Sequence, residues 1–215
     1  VYPADVTDAV AVARAAASFR ESVPAVDLVI ANAGISRRDD DAGGDQRVPR
    51  EVMETNFFGA LHALVPFIPV MESSEHGSLV AVSSVAGCRG LPNAGAYSAS
   101  KAALDTWMES LRVRLRGRVH VMTVRPGFVM TPMTAANPFR MPWLISAERA
   151  AAWIARGVER RRSVVVFPVP MRWLIRVIRL LPPSIYDAMM GWGRAHHPEA
   201  FQRSPAGHDV PSSDA

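Results

Sequence analysis

Apolar and polar positions along the chain follow two rhythms. Short unbroken apolar runs at Asp27–Ala31, Ser78–Ser83, Val119–Val124 and Ser163–Phe167 are separated by longer stretches whose apolar residues recur three or four positions apart. The first rhythm predicts strands buried on both faces, as in a parallel sheet, and the second predicts amphipathic helices. Helices are expected over Asp8–Ser22 with Thr7 as N-cap, over Glu51–Met71 with Pro66 and Pro69 bending its end, over Ala94–Arg116 and over Ala147–Glu159. Ser36–Arg50 is rich in Asp, Arg and Gly and reads as a loop. Strands alternating with long helices predict βαβ units and an α/β fold, a doubly wound parallel sheet covered on both sides. On such sheets ligands bind beyond the carboxyl ends of the strands. Asn32-Ala33-Gly34, Ser83-Ser84 and Pro126-Gly127 all fall there.

Composition narrows the function classes. Of the 215 residues, 49% are hydrophobic and 20% charged, the balance of a folded domain. The net charge of +4 is uneven: residues 151–181 hold seven Arg against one Glu, and the rest is near neutral, which argues against a nucleic-acid-binding face. The basic residues are Arg throughout, except for Lys101. Cys88 is the sole cysteine, so an internal disulfide is excluded, and no Cys/His cluster suggests a metal. A reducing, cytoplasmic setting fits this usage. No signal peptide is read at the start, and the uncharged run Thr55–Met71, interrupted by His62 and two prolines, is too short and broken for a membrane span.

One pair of residues brings chemistry. Tyr97 and Lys101 are four positions apart on a predicted helix and share a face. A phenol has an ordinary pKa of about 10, and a nearby ammonium favours its ionised form, so the pair suits proton transfer in an alcohol–carbonyl interconversion. Ser84, at a strand end, is placed to bond the same substrate oxygen and stabilise developing charge. A surface Tyr–Lys pair without a role is the plainer reading of these two residues alone. Cys88 lies near Ser84, but no base accompanies it, so it reads as a buried or rim thiol. None of the six histidines is assigned to catalysis.

The segments Val82-Ser83-Ser84-Val85-Ala86-Gly87, Tyr97-Ser98-Ala99-Ser100-Lys101-Ala102-Ala103 and Arg125-Pro126-Gly127-Phe128-Val129-Met130-Thr131 resemble the short-chain dehydrogenase/reductase family. Asn32-Ala33-Gly34 and Thr55-Asn56-Phe57-Phe58-Gly59 match two further motifs of that family, and the five occur in its order over residues 1–168. The resemblance implies a Rossmann-type sheet and an NAD- or NADP-dependent oxidoreductase acting on a small-molecule carbonyl or secondary alcohol. It makes Tyr97 the general acid/base, Lys101 the residue that lowers its pKa and holds the nicotinamide ribose, Ser84 rather than Ser83 the carbonyl-orienting hydroxyl, and Asn56 a member of the proton relay through a water. A helix-packing amide is the plainer role for Asn56. Asn32, Ala33 and Gly34 would lie against the adenine ribose, Asp5 and Val6 against the adenine, and Pro126, Gly127, Val129 and Thr131 along the nicotinamide.

One family element is missing. No Gly-x-x-x-Gly-x-Gly turn occurs among the 14 glycines, and the chain opens at Val1 where the third strand of the family's sheet should end. The first strand–helix–strand unit, which needs roughly 30 residues, has no room before Asp5. The expectation is a truncated reading of a longer enzyme, which would leave an apolar sheet edge at Asp27–Ala31. An open reading frame with no coding sequence upstream of Val1 would contradict it. The rival is a short relative without cofactor, a scaffold or binding protein.

Residues 169–194 form a separate expectation, a basic amphipathic helical segment, and residues 195–215 a loose tail. Val169–Leu181 sets Arg172, Arg176 and Arg179 on one helical face, and Pro182-Pro183 stops it. Such a helix covers a substrate mouth or makes a subunit contact in a homo-oligomer; peripheral membrane contact through 169–181 is its other use. Residues 131–145 supply Met133, Phe139, Met141, Trp143 and Leu144, which the resemblance places at the substrate pocket and which favour an apolar or lipid-like substrate.

Overall fold

The structure, a computed structural model, describes residues 1–39, 46–135 and 141–196. Phe139, the middle of the Ser36–Arg50 loop and the tail beyond residue 196 lie outside these. Four strands form one parallel sheet in the order β1 (Leu28–Ala31), β2 (Ser78–Val82), β3 (His120–Pro126) and β4 (Val164–Phe167). Each sits where an apolar run was expected, shifted by a few residues at most.

The helices follow from capping and spacing. In α1 (Ala9–Ser22) the cap is Asp8, whose carboxylate accepts from Val10 N and Ala11 N; Thr7, the expected cap, bonds Asp5 instead. A carboxylate at this position also favours the positive end of the helix dipole, which a hydroxyl does less. The long helical stretch begins at Arg47, four residues earlier than the pattern implied, and runs to Ser74 in pieces: α2 (Arg47–Met53), a π-helical turn at Glu54–Phe58, α3 (Gly59–Leu64), a 3-10 turn at Val65–Phe67 with Pro66, and α4 (Ile68–Ser74). Arg47–Ser74 is by length and composition apolar enough to cross a membrane. Here it buries Leu64, Phe67, Ile68 and Met71 in the core and is read as a core helix. Then come α5 (Gly95–Arg114), the short α6 (Pro132–Ala135), α7 (Ala147–Glu159), α8 (Val169–Leu180) and α9 (Pro183–His196).

Alternation along the strands builds two cores. Leu79, Ala81 and Val121 point to one face and pack against Leu64, Met71, Leu104, Met108 and Leu111 of α3 to α5. Val80, Met122, Val124, Val165 and Phe167 point to the other and pack on Ala150, Trp153 and Ile154 of α7. The sheet is thus sandwiched between helical layers, as parallel sheets require. β1 forms the apolar edge expected at Asp27–Ala31 and is not buried on both faces. It is the sheet edge, and Leu28 and Ile30 are each 42% exposed. The register pairs Ile30 with Val80, so both residues face the α7 side. The α7 layer packs on β3 and β4.

α7 sits close to the sheet at Gly157, where an added Cβ would lie 2.6 Å from Val165 Cγ2 and 3.0 Å from Met122 Sδ. In an open helix Gly→Ala gains up to about 1 kcal/mol. Here overpacking against a stiff Val outweighs that gain. Gly157→Ala is expected to lower stability by about 1 to 2 kcal/mol, read as a lower urea midpoint; an unchanged or raised midpoint would contradict this packing.

Candidate active site

The strand ends bring the expected residues together around the N-terminal half of α5. β2 delivers Ser83 and Ser84 in succession, and the extended backbone sends them opposite ways. Ser83 is buried and donates from Oγ to Lys101 O at 3.1 Å, tying the strand end to α5. Ser84, whose hydroxyl favours the ionised form of the Tyr97 phenol, accepts from Ala86 N at 3.1 Å and caps the turn Val85–Cys88. Ser83 is thus engaged with α5, and Ser84 is the serine that influences Tyr97.

Lys101 lies one helical turn beyond Tyr97 and is only 4% exposed. Its Nζ donates to Val82 O at 2.9 Å and stands 5.9 Å from the Tyr97 ring centroid. Burial pushes its pKa down to about 8, against the favourable charge of Asp105. The phenol behaves differently from the sequence expectation. Burial raises the Tyr97 pKa above its ordinary value, and the opposing influence is the nearby Ser84 hydroxyl rather than the Lys101 charge. Both members of the pair are held in desolvating surroundings, which favours their neutral forms.

Asn56 reaches this cluster through the π-helical turn, a distortion often found at functional sites. It is fully buried. Its Nδ2 donates to Ile35 O at 2.9 Å and Ser100 Oγ at 3.0 Å, and its Oδ1 accepts from Ile35 N at 2.7 Å. The amide therefore does structural work here, joining the loop after β1 to α5. Gly34 lies over the same spot: a Cβ there would come 3.1 Å from Asn56 Oδ1 and 3.4 Å from Lys101 Nζ. A side chain there would crowd both atoms, so glycine suits this close approach. Asn32 and Ala33 remain exposed beside it.

The other expected cofactor residues are placed as follows. Gly127 N donates to Phe167 O at 2.7 Å at the end of β3, next to Pro126. Val129 bridges to Ile145. The Thr131 N–H donates to Thr134 Oγ1 at 3.0 Å, and the same hydroxyl donates to Val129 O at 2.6 Å, so the expected carboxamide contacts of this segment are partly engaged in its own turn. Asp5 accepts from Thr7 N and Oγ1, and Val6 O contacts His62 Nδ1 at 2.8 Å, which sets this pair against α3 and apart from Tyr97. Met133, Trp143 and Leu144 are exposed on the segment leaving β3. Cys88 is a partly buried thiol whose pKa burial raises, as expected of an unreactive one.

Two contributors went unread in the sequence. Asp105 continues the Tyr97–Lys101 stripe by one more turn and pairs with Arg125 Nε at 2.9 Å. Its four-residue spacing from Lys101 was a usable signal. Asp39 caps α5 from a distant loop: its Oδ1 accepts from Gly95 N at 3.0 Å and its Oδ2 from Ala96 N. Nothing in the local sequence announces that contact, 56 residues from its partner.

Comparison with known proteins places the chain in a family and agrees with the fold. Residues 1–140 match the family model described as short chain dehydrogenase. An uncharacterized oxidoreductase of Myxococcus xanthus is 40% identical over 192 residues, covering 86% of this chain and 73% of that protein. Dehydrogenase/reductase SDR family member 7B of Mus musculus is 34% identical over 198 residues, covering 86% of this chain and 61% of its own length. Among solved structures, a short chain dehydrogenase from Burkholderia cenocepacia in complex with NADP is similar at a TM-score of 0.73 and 28% identity, over 87% of this chain and 76% of that one.

Proposed function

Since the chain belongs to the short-chain dehydrogenase family, we propose that it serves the interconversion of a carbonyl and a secondary alcohol with NAD or NADP, and that Tyr97 moves the proton. The observation that carries this reading is Tyr97 beside a buried Lys101, whose Nζ stands 5.9 Å from the ring centroid, with Ser84 following β2 at the carboxyl edge of a parallel sheet. The cofactor supplies or accepts a hydride when bound. The residues present fit such a group at the nucleoside and nicotinamide ends. Asn32 and Ala33 are exposed as a shelf next to Gly34, whose backbone passes close to Asn56 and Lys101. Tyr97 and Lys101 would hold the ribose nearest the chemistry, with Pro126, Gly127, Val129 and Thr131 along the far wall. Asp5 and Val6 are assigned to the adenine end.

In the reductive direction the Tyr97 hydroxyl gives its proton to the substrate oxygen as that oxygen gains negative charge. A phenol whose pKa is raised by burial is protonated at neutral pH and is ready for this role. Ser84 holds the same oxygen and shares the developing charge. Lys101 stands behind Tyr97 with a pKa near 8, a value from which it can return a proton near neutral pH. Asn56 fixes the loop after β1 against α5, so that Gly34, Tyr97 and Lys101 keep their spacing.

The exposed Met133, Trp143 and Leu144 support an apolar, lipid-like substrate. The test is NADH and NADPH binding by calorimetry, on this chain and on a version extended upstream of Val1, followed by turnover of matched long-chain and short polar ketones. Cofactor binding and kcat/KM at least about 10-fold higher for the long-chain ketone are expected. Equal turnover of both would overturn the apolar assignment. Folded protein that binds neither cofactor in either version would overturn the enzymatic reading and leave a scaffold.

A further inference from the structure

The C-terminal helices carry two features that the proposed reaction does not use. The first is a charge cluster. A cleft of about 810 Å³ opens where α5, α7, β4 and α8 meet, and seven arginine side chains line it against the carboxylates of Asp105 and Glu109. Asp105 is already paired with Arg125 at 2.9 Å, and Glu109 stands 4.0 Å from Arg112. The remaining positive charge has no matching carboxylate among the cleft's lining residues. Like charges gathered in this way repel, and an external anion relieves that repulsion.

The second feature is an apolar stripe on the same helix. α8 turns Met171 and Ile175 inward, and Met171 stands against Gly127. On the opposite side Trp173, Val177 and Leu180, three or four residues apart, are exposed, Leu180 to 85%. Arg172, Arg176 and Arg179 flank this stripe and also line the cleft. The guanidinium groups of Arg172 and Arg176 lie 5.6 and 4.9 Å from the Trp173 ring centroid. An indole beside guanidinium groups, with bare aliphatic residues next to them, matches the boundary between phospholipid headgroups and acyl chains. α9 adds exposed Ile185 and Met189 one turn apart.

We propose that α8 docks this protein on the surface of a bilayer containing anionic phospholipids, with Trp173, Val177 and Leu180 entering the interface and Arg172, Arg176 and Arg179 meeting the phosphate groups. A second copy of the chain is a poorer occupant. A two-fold contact sets a patch against itself, and here arginines would face arginines. A soluble polyanion would match the arginines and leave the apolar stripe unused. The docked face adjoins the proposed site: Arg89 Nη1 donates to Leu181 O at 3.1 Å and Tyr186 Oη donates to Gly90 O at 2.7 Å, so α8 and α9 are clamped to the segment that follows Ser84. The proposal concerns binding alone and stands whether or not the catalytic reading does.

The experiment is co-sedimentation of the full chain with phosphatidylcholine vesicles and with vesicles in which about a third of that lipid is replaced by phosphatidylglycerol. Two variants accompany it, Trp173→Ala/Val177→Ser/Leu180→Ser and Arg172→Gln/Arg176→Gln/Arg179→Gln, each checked for retained fold by circular dichroism. Binding to the anionic vesicles only is expected, with each triple variant weaker by roughly 100-fold and the wild-type binding reduced by salt. Absence of binding to anionic vesicles would overturn the proposal. Full retention by the apolar-stripe variant, with displacement by heparin, would overturn it in favour of a soluble polyanion or nucleic acid. A concentration-dependent dimer that is lost in both variants, without vesicle binding, would overturn it in favour of a second copy.

Discussion

Tyr97→Phe is expected to lower kcat for carbonyl reduction by about 10³-fold, within the range general acid–base catalysis supplies, and to leave cofactor affinity within a few fold. The substitution removes one oxygen and keeps the ring, so the packing at the start of α5 is preserved. What disappears is the proton donor beside Ser84. Ser84→Ala should cost less, about 10²-fold, because the donor remains and only one stabilising bond to the oxygen is lost. The raised phenol pKa gives the pH dependence a sign. Reduction needs the protonated phenol, the dominant form at neutral pH, so its rate should fall only in strong alkali. Oxidation needs the ionised form and should climb steadily with pH across the neutral and mildly alkaline range. Steady-state kinetics in both directions, with cofactor binding measured separately, decide the matter. A Phe variant that binds cofactor and keeps a tenth of the wild-type rate would remove Tyr97 from the chemistry.

Much of this arrangement could be read from residue order, and the parts that could not share a physical cause. β2 and β3 were legible because Leu79, Val80, Ala81, Val121 and Met122 are apolar on both faces, and the fold buries both. At β1 the apolar pattern alone implied burial, and the absence of a Gly-x-x-x-Gly-x-Gly unit was what marked the strand as an apolar edge. Leu28 and Ile30 look like core residues, but burial depends on what lies across the sheet, and at its edge both stay 42% exposed. Tyr97, Lys101 and Asp105 are legible as one stripe of α5 because helical spacing is local. The π-helical turn that delivers Asn56 is not, since tertiary contacts with Ile35 and Ser100 hold its geometry and intrinsic propensity does not specify it. The Asp39 cap is hidden for the same reason. Local preference names elements, and long-range contacts aim the side chains that matter. The direction of the Tyr97 pKa is a further instance: the sequence shows a neighbouring ammonium, while only the fold shows that burial outweighs it.

Lys101→Met should abolish activity and, at pH 7, make the protein more stable. Lys101 is the sole lysine and is 4% exposed, and its pKa falls from 10.5 to about 8 because burial disfavours the charged form. A base whose folded pKa lies below its unfolded value binds its proton more weakly in the native state. At pH 7 the native state must still carry that charge, at a cost on the order of 3 kcal/mol. Met has similar length and no charge, so it removes the cost while largely filling the space. It also removes the donor to Val82 O, worth about 1 kcal/mol. The net gain should be about 1 to 2 kcal/mol, or a Tm higher by roughly 2 to 8 °C for a chain of this size. The sign check lies in the pH dependence. Between about 8 and 10.5 the unfolded wild type holds a proton that the native state has released, so wild-type stability rises relative to the variant through that window and the gap closes. Below it, both states are protonated and the gap stays constant. Thermal unfolding of both proteins at pH 7 and at pH values through the window gives the answer. A variant less stable at pH 7, or a gap that persists in alkali, would mean that the buried ammonium is stabilised by its surroundings, and the weakly held proton invoked for Lys101 would have to be withdrawn.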